Sequence, residues 1–102
     1  MRLLLLLLIA ISTLCAVGPA LSADADNGER LARRWCSSCH VVAPDQRTPT
    51  AEAPPFATVA RRPGFDAAKL ALFLLAPHPK MPDMGLSRDE AADLAEYIAT
   101  LK

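Results

Sequence analysis

No charge of either sign is left over in this chain: 11 Lys and Arg stand against 11 Asp and Glu in 102 residues, a formal net charge of zero. That balance removes the electrostatic case for a nucleic-acid partner, which rests on clustered excess cations. Strand signals are missing too. Nine prolines, one at Pro19, five from Pro44 to Pro63 and three from Pro77 to Pro82, leave no free stretch with the Val/Ile/Thr alternation a sheet requires. Catalytic constellations are also sparse, with two histidines and no Ser/His/Asp set. No internal repeat is visible, and the length allows one domain at most. What the chain does have is hydrophobicity, 52% of its residues, which makes disorder a poor reading.

Much of that hydrophobicity lies at the N-terminus, which reads as an export signal. Arg2 supplies a short positive region, Leu3 to Leu14 an apolar core, and Gly18-Pro19 a break before the small residues Ala20, Ser22, Ala23 and Ala25. Cleavage is expected after Ser22 or Ala23, giving a signal peptide over 1–22 and a single domain over 23–102, located in the periplasm. An uncleaved anchor over Leu3 to Ala20 is the competing reading, near the lower length limit for a membrane helix. Cys15 does not make a lipid-attachment site, because the residue directly before it is Leu14 and not a small one.

Without the leader 80 residues remain, with ten basic against 11 acidic. A core of that size rarely stabilises a fold by itself, so a disulfide, metal or cofactor is expected to staple it. Of the three cysteines only Cys36 and Cys39 are left to provide one.

The intervening sequence predicts an all-α fold. Asp26-Asn-Gly-Glu29 reads as a helix start, with Gly28, Leu31, Ala32 and Trp35 on one face of a helix that runs into the cysteines. Near the other end Ser87-Arg-Asp-Glu90 is a capping box, followed by Ala91, Leu94, Tyr97, Ile98 and Leu101 at offsets of three and four. Between them Asp66 can cap a helix Ala67 to Leu75, stopped by Pro77. That helix is apolar on two sides: Leu70, Phe73 and Leu74 form one face, while Leu72 and Leu75 lie opposite. Such a helix either packs a second body, the commoner case, or is exposed at a docking site. Residues 41–62 form a loop rich in Pro, Thr and Ala, with a short helix around Phe56 to Arg61.

The chemistry lies in Cys36-Ser37-Ser38-Cys39-His40. On a helical turn Cys36, Cys39 and His40 occupy i, i+3 and i+4, so two thiols and an imidazole project from one face. This arrangement suits a haem: the sulfurs bond its two vinyl groups as thioethers, and the imidazole falls beneath the iron. A thioredoxin-like dithiol needs a βαβ core that is absent here, and a structural disulfide leaves His40 without a role. Zinc has enough candidates in Cys36, Cys39, His40 and His78, although adjacent Cys39 and His40 are awkward neighbours around one ion.

With these residues in place, the sequence resembles the class I c-type cytochromes, small exported electron carriers with one haem. The likeness runs over nearly all of the expected mature chain: Gly28 eight residues before Cys36, Cys36-Ser-Ser-Cys39-His40, Ala53-Pro-Pro-Phe56, Pro77-His-Pro-Lys-Met81-Pro82 and Leu94-Ala-Glu-Tyr97-Ile98. It implies three to five helices packed around one covalently attached haem c with its iron, with the terminal helices crossing at Gly28 against Tyr97. It implies a methionine as the second axial ligand, for which Met81 and Met84 are the candidates. Met81 matches better: Pro82 follows it and Tyr97 lies 16 residues on, whereas Met84 stands only three residues before Ser87 and reads better as core packing. His78 is a third possibility, as one half of a bis-histidine iron.

By the same resemblance the backbone carbonyl of Pro54, with Pro55 as fallback, accepts the second N–H of His40, and Phe56 contacts the porphyrin. Helical spacing adds Val59, Leu70 and Leu74 to the pocket. Arg61 and Arg62 either neutralise the propionates or form a solvated pair. With both axial positions filled no substrate site remains, so the expected protein is no enzyme. The expectation is a monomeric shuttle passing single electrons between periplasmic redox proteins, with no nucleic acid and no membrane insertion after cleavage. The alternatives are a five-coordinate haem enzyme or gas sensor, and a haem subunit held by one dehydrogenase or oxidase.

Overall fold

Asp24 starts the first helix. Its backbone is extended, and its carboxylate accepts from Asn27 N–H at 3.1 Å, capping α1 (Ala25–Trp35). The cap is therefore Asp24 and not the expected Asp26, which instead lies in the acidic first turn, where it complements the helix dipole. The choice between them is tertiary: Asp24 N–H donates to Asp93 Oδ1 at 2.7 Å and Asn27 Nδ2 donates to Asp93 Oδ2 at 2.8 Å, so one carboxylate holds both ends of the first turn.

The computed structural model describes Met1 and residues 22–47, 52–76 and 80–102, which contain four helices and no strand. After α1 come α2 (Phe56–Ala60), α3 (Ala67–Leu75) and α4 (Arg88–Ala99). Residues 2–21 of the expected leader 1–22, the stop at Pro77, and His78 lie outside the described residues. Among those residues no helix is long and apolar enough to cross a membrane.

Two helix starts follow the sequence directly. Asp66 caps α3 by accepting from Lys69 N–H at 3.0 Å. Ser87 and Glu90 form the reciprocal capping box of α4, with bonds of 3.1 and 2.8 Å.

The main packing is α1 against α4, with α3 also laid on α4 and α2 touching it more lightly. Gly28 makes the crossing possible: a Cβ there would run into the Asp93 carbonyl and lie 2.8 Å from Tyr97 Cβ. Around it the core gathers Ala32, Cys36, Val42, Ala43, Phe56, Ala60, Leu94, Tyr97 and Ile98. Tyr97 buries its ring and donates from its hydroxyl to the Val42 carbonyl at 2.7 Å, tying α4 to the loop after the cysteines.

Two expectations need correction. Trp35 shares a face with Gly28 and Ala32 on the helical wheel, but it is the last residue of α1 and stays 43% exposed, stacked under the Arg34 guanidinium at 4.8 Å. Helix α3 has no fully buried residue; Leu70 and Leu74 pack on the core, while Leu72 is 69% and Phe73 53% exposed. Among the described residues no second body packs on its outer side at Leu72.

Candidate haem site

The turn that follows α1 carries the motif. Cys36 N–H still bonds back to Ala32 O at 2.9 Å, and the Cys36 carbonyl then accepts from Cys39 N–H at 3.2 Å and from His40 N–H at 2.9 Å. This tight helical turn puts the i, i+3 and i+4 side chains on one side, as the spacing requires. Cys36 and Cys39 are not bridged to each other by a disulfide. Cys36 is the more buried, and desolvation pushes its thiol up to about 11, so it stays protonated at neutral pH.

His40 is held from two directions. Its Nδ1 lies 2.6 Å from the Pro54 carbonyl, which can only accept, so Nδ1 carries a proton and the neutral ring leaves its lone pair on Nε2. Phe56 N–H donates to Val41 O at 3.0 Å, which draws the Pro54–Phe56 segment against the motif. The Phe56 ring then sits 5.0 Å from the imidazole, centroid to centroid, at a tilt of 50°. Pro55, the fallback acceptor, faces a different groove, together with Arg61.

These groups open onto one cleft of about 570 Å³. Its lining brings together Cys36, His40, Pro54, Phe56, Val59, Leu70, Leu74 and Met81, eight of the nine residues anticipated for the site. The ninth, Cys39, borders an adjoining opening of about 400 Å³ that also touches Cys36, His40, Pro54 and Met81. Met84 lines both spaces as well. Lys80, at a left-handed φ of 72°, turns the chain into Met81.

Sequence reasoning missed several lining residues. Trp35 borders both spaces, and Phe73, Leu86, Leu94 and Ile98 complete the apolar wall. Of the two adjacent arginines only Arg62 reaches the cleft, where it is joined by Lys69; no carboxylate lines that cleft. Helical spacing from Leu70 and Leu74 would have found Phe73, but nothing local separates Arg61 from Arg62.

A flat, mostly apolar macrocycle bearing two carboxylates fits this lining. The Cys36 thiol borders the cleft and the Cys39 thiol its adjoining opening, an imidazole has its outer nitrogen engaged, two thioethers are within the same lining, and the cations there can meet the carboxylates. Among the described residues no group of three or more His, Cys, Asp or Glu side chains is placed to hold a bare metal ion. His78, which the zinc reading needs, lies outside them.

Comparison with known proteins agrees. Residues 23–98 match the family described as cytochrome C oxidase, cbb3-type, subunit III. The chain is 60% identical over 83 residues to cytochrome c-552 of Bradyrhizobium diazoefficiens, a span covering 81% of this chain and 80% of that relative. No solved structure matches. The all-α fold and the Cys36-to-His40 turn are thus those of a family that binds haem covalently, and the chain belongs to it as a small c-type cytochrome, an electron carrier with haem c as its cofactor.

Proposed function

We propose that this cytochrome is an exported, monomeric electron shuttle of the periplasm whose single haem is bound through Cys36 and Cys39 and ligated by His40 and Met81. The observation that carries the reading is the 2.6 Å contact between His40 Nδ1 and the Pro54 carbonyl, made at a cleft that Met81 also lines. An imidazole tied in this way presents one fixed nitrogen, which is what an axial ligand needs. Bound haem supplies one-electron iron chemistry at the potential its ligands set.

The chain's own residues supply the rest. Cys36 and Cys39 fix the group to the end of α1. Val59, Leu70, Leu74 and Phe56 line the cleft and would keep water from the bound group, holding the local dielectric low. The Met81 thioether is a soft donor, which favours the ferrous state and raises the potential. Arg62 and Lys69 are the cations available to the acidic edge. With His40 and Met81 both committed to holding the iron, no ligand position would be left for substrate, so the protein would carry electrons and would not transform small molecules. Its partners are a redox-protein donor and a redox-protein acceptor.

Export follows from the leader, so the mature protein begins at Ala23 or Asp24. Intact-mass spectrometry of periplasmic extract tests attachment and processing together. The expected mass is that of the processed chain plus one haem, retained through acid-acetone extraction. A retained Met1 in a membrane fraction, or haem lost on extraction, would overturn this reading.

A second reading is favoured by the family's description, which names an oxidase subunit: a haem subunit held permanently by a terminal oxidase. Gel filtration of native extract separates the two, the shuttle eluting as a free small protein.

A further inference from the structure

His40 is fixed through its ring by Pro54, and its backbone is fixed by a second residue, Gln46. Gln46 follows a turn closed by its own N–H, which donates to Ala43 O at 3.2 Å, and its side chain folds back toward the cysteine turn. There Oε1 accepts from Val42 N–H at 2.8 Å, while Nε2 donates to His40 O at 3.0 Å and to Ser37 O at 3.3 Å. One half-buried amide thus bonds the backbone on both sides of the His40–Val42 step and reaches back to the residue after Cys36.

The neighbouring groups of this stretch are held by other elements. Val41 O takes Phe56 N–H, and Val42 O takes the Tyr97 hydroxyl. The turn beyond α1 leaves carbonyls outside the helix ladder, and here a side chain takes two of them. An amide suits the task because it offers both an acceptor and two donors, which neither a carboxylate nor an amine does.

We infer that Gln46 is a positioning residue for the haem-ligating imidazole: its clamp on His40 O and Val42 N–H sets where the ring stands, and so the iron–imidazole bond and the reduction potential. The inference rests on the reading of His40 as axial ligand. Groups that orient a ligating histidine commonly tune the metal's affinity and activity. The Gln46 clamp acts on the backbone end of the residue, and the Pro54 carbonyl on its ring.

The test uses the haem-bound protein and two variants. Gln46→Met keeps the length and removes every hydrogen bond. Gln46→Glu keeps the acceptor for Val42 N–H but sets oxygen against the carbonyls of Ser37 and His40. In paramagnetic NMR of the oxidised protein, both variants are expected to displace the hyperfine-shifted ring resonances of His40, and voltammetry is expected to show a shifted potential. Leu101→Ala, at the C-terminal edge of the core, serves as a control that lowers the melting temperature and leaves both readouts in place.

Variants that melt lower but keep the wild-type resonances and potential would overturn the inference, leaving Gln46 as a loop brace. If neither variant retains haem, the wild type still decides. Protected Gln46 side-chain amide protons with cross-relaxation to His40 support the clamp, and solvent-averaged ones contradict it. Absence of any hyperfine-shifted His40 resonance in the wild type would instead remove the ligand reading itself.

Discussion

Gly28 and Asp93 touch backbone to backbone where α1 crosses α4: the space a Gly28 Cβ would occupy is taken by the Asp93 carbonyl. The Asp93 carboxylate meanwhile bonds Asp24 N–H and Asn27 Nδ2, so the same residue sets both the distance between the helices and the start of α1. Because α1 ends in the cysteine turn, this crossing positions the haem site.

Gly28→Ala is therefore expected to cost at least the ~1–3 kcal/mol typical of overpacking, since the obstacle is backbone and cannot swing aside. Thermal denaturation of the haem-bound protein checks this. A melting temperature equal to the wild type's would show that the helices separate freely.

Replacing both Cys36 and Cys39 by alanine is expected to abolish folding, not merely to weaken it. The apolar cleft would have no tethered group to fill it, and a core this small does not stand alone. Circular dichroism and hydrogen exchange of the double variant decide; a colourless but well-folded product would refute the stapling argument.

Tyr97 gives a pH signature. Burial, aided by the Glu29 carboxylate, raises its hydroxyl above the ordinary value near 10, so the unfolded chain ionises first. The stability Tyr97 contributes is then complete below about pH 10 and falls as pH rises through that window toward the folded value. Tyr97→Phe is expected to lose about 1 kcal/mol at neutral pH, from the broken bond to Val42 O, yet to show a shallower alkaline decline. Denaturant melts from pH 8 to 11 on both proteins measure the difference. Parallel curves would place the alkaline transition elsewhere.

Most of the helical frame was legible because its signals are local. The Ser87–Glu90 box and the Asp66 cap need only a few residues to state them, and the structure starts α4 and α3 where those caps put them. The motif announced its cofactor for the same reason. What stayed hidden depends on chain reversal. Asp24 outranks Asp26 as cap through a partner 69 residues away. Arg62 lines the cleft while Arg61 lines the groove beside Pro55, a difference set by the direction of one short helix. The Gln46 clamp exists only because the loop turns back on the cysteine turn.

Partner encounter should depend weakly on salt. Only three lysines are present, and Lys102 already lies over the Phe65 ring at 5.0 Å. Exposed Lys80 borders the opening that Cys39 and Met81 share, with Ser38 and Pro82 beside it. Stopped-flow electron transfer is expected to change only a few-fold between low and physiological ionic strength, against the ~10- to 1,000-fold possible for strongly steered pairs. Lys80→Glu should slow it more than Lys102→Glu. Equal effects would show that the partner reads another face.

The central claim, an iron held between His40 and Met81, is tested most directly by near-infrared magnetic circular dichroism of the oxidised protein, before and after Met81→Ala. A histidine–methionine signature is expected in the wild type. Met81→Ala is expected to lose that signature, lower the potential and bind carbon monoxide, while Met84→Ala leaves the spectrum nearly unchanged. A bis-histidine signature in the wild type, or a methionine signature that survives Met81→Ala and vanishes in Met84→Ala, would contradict it.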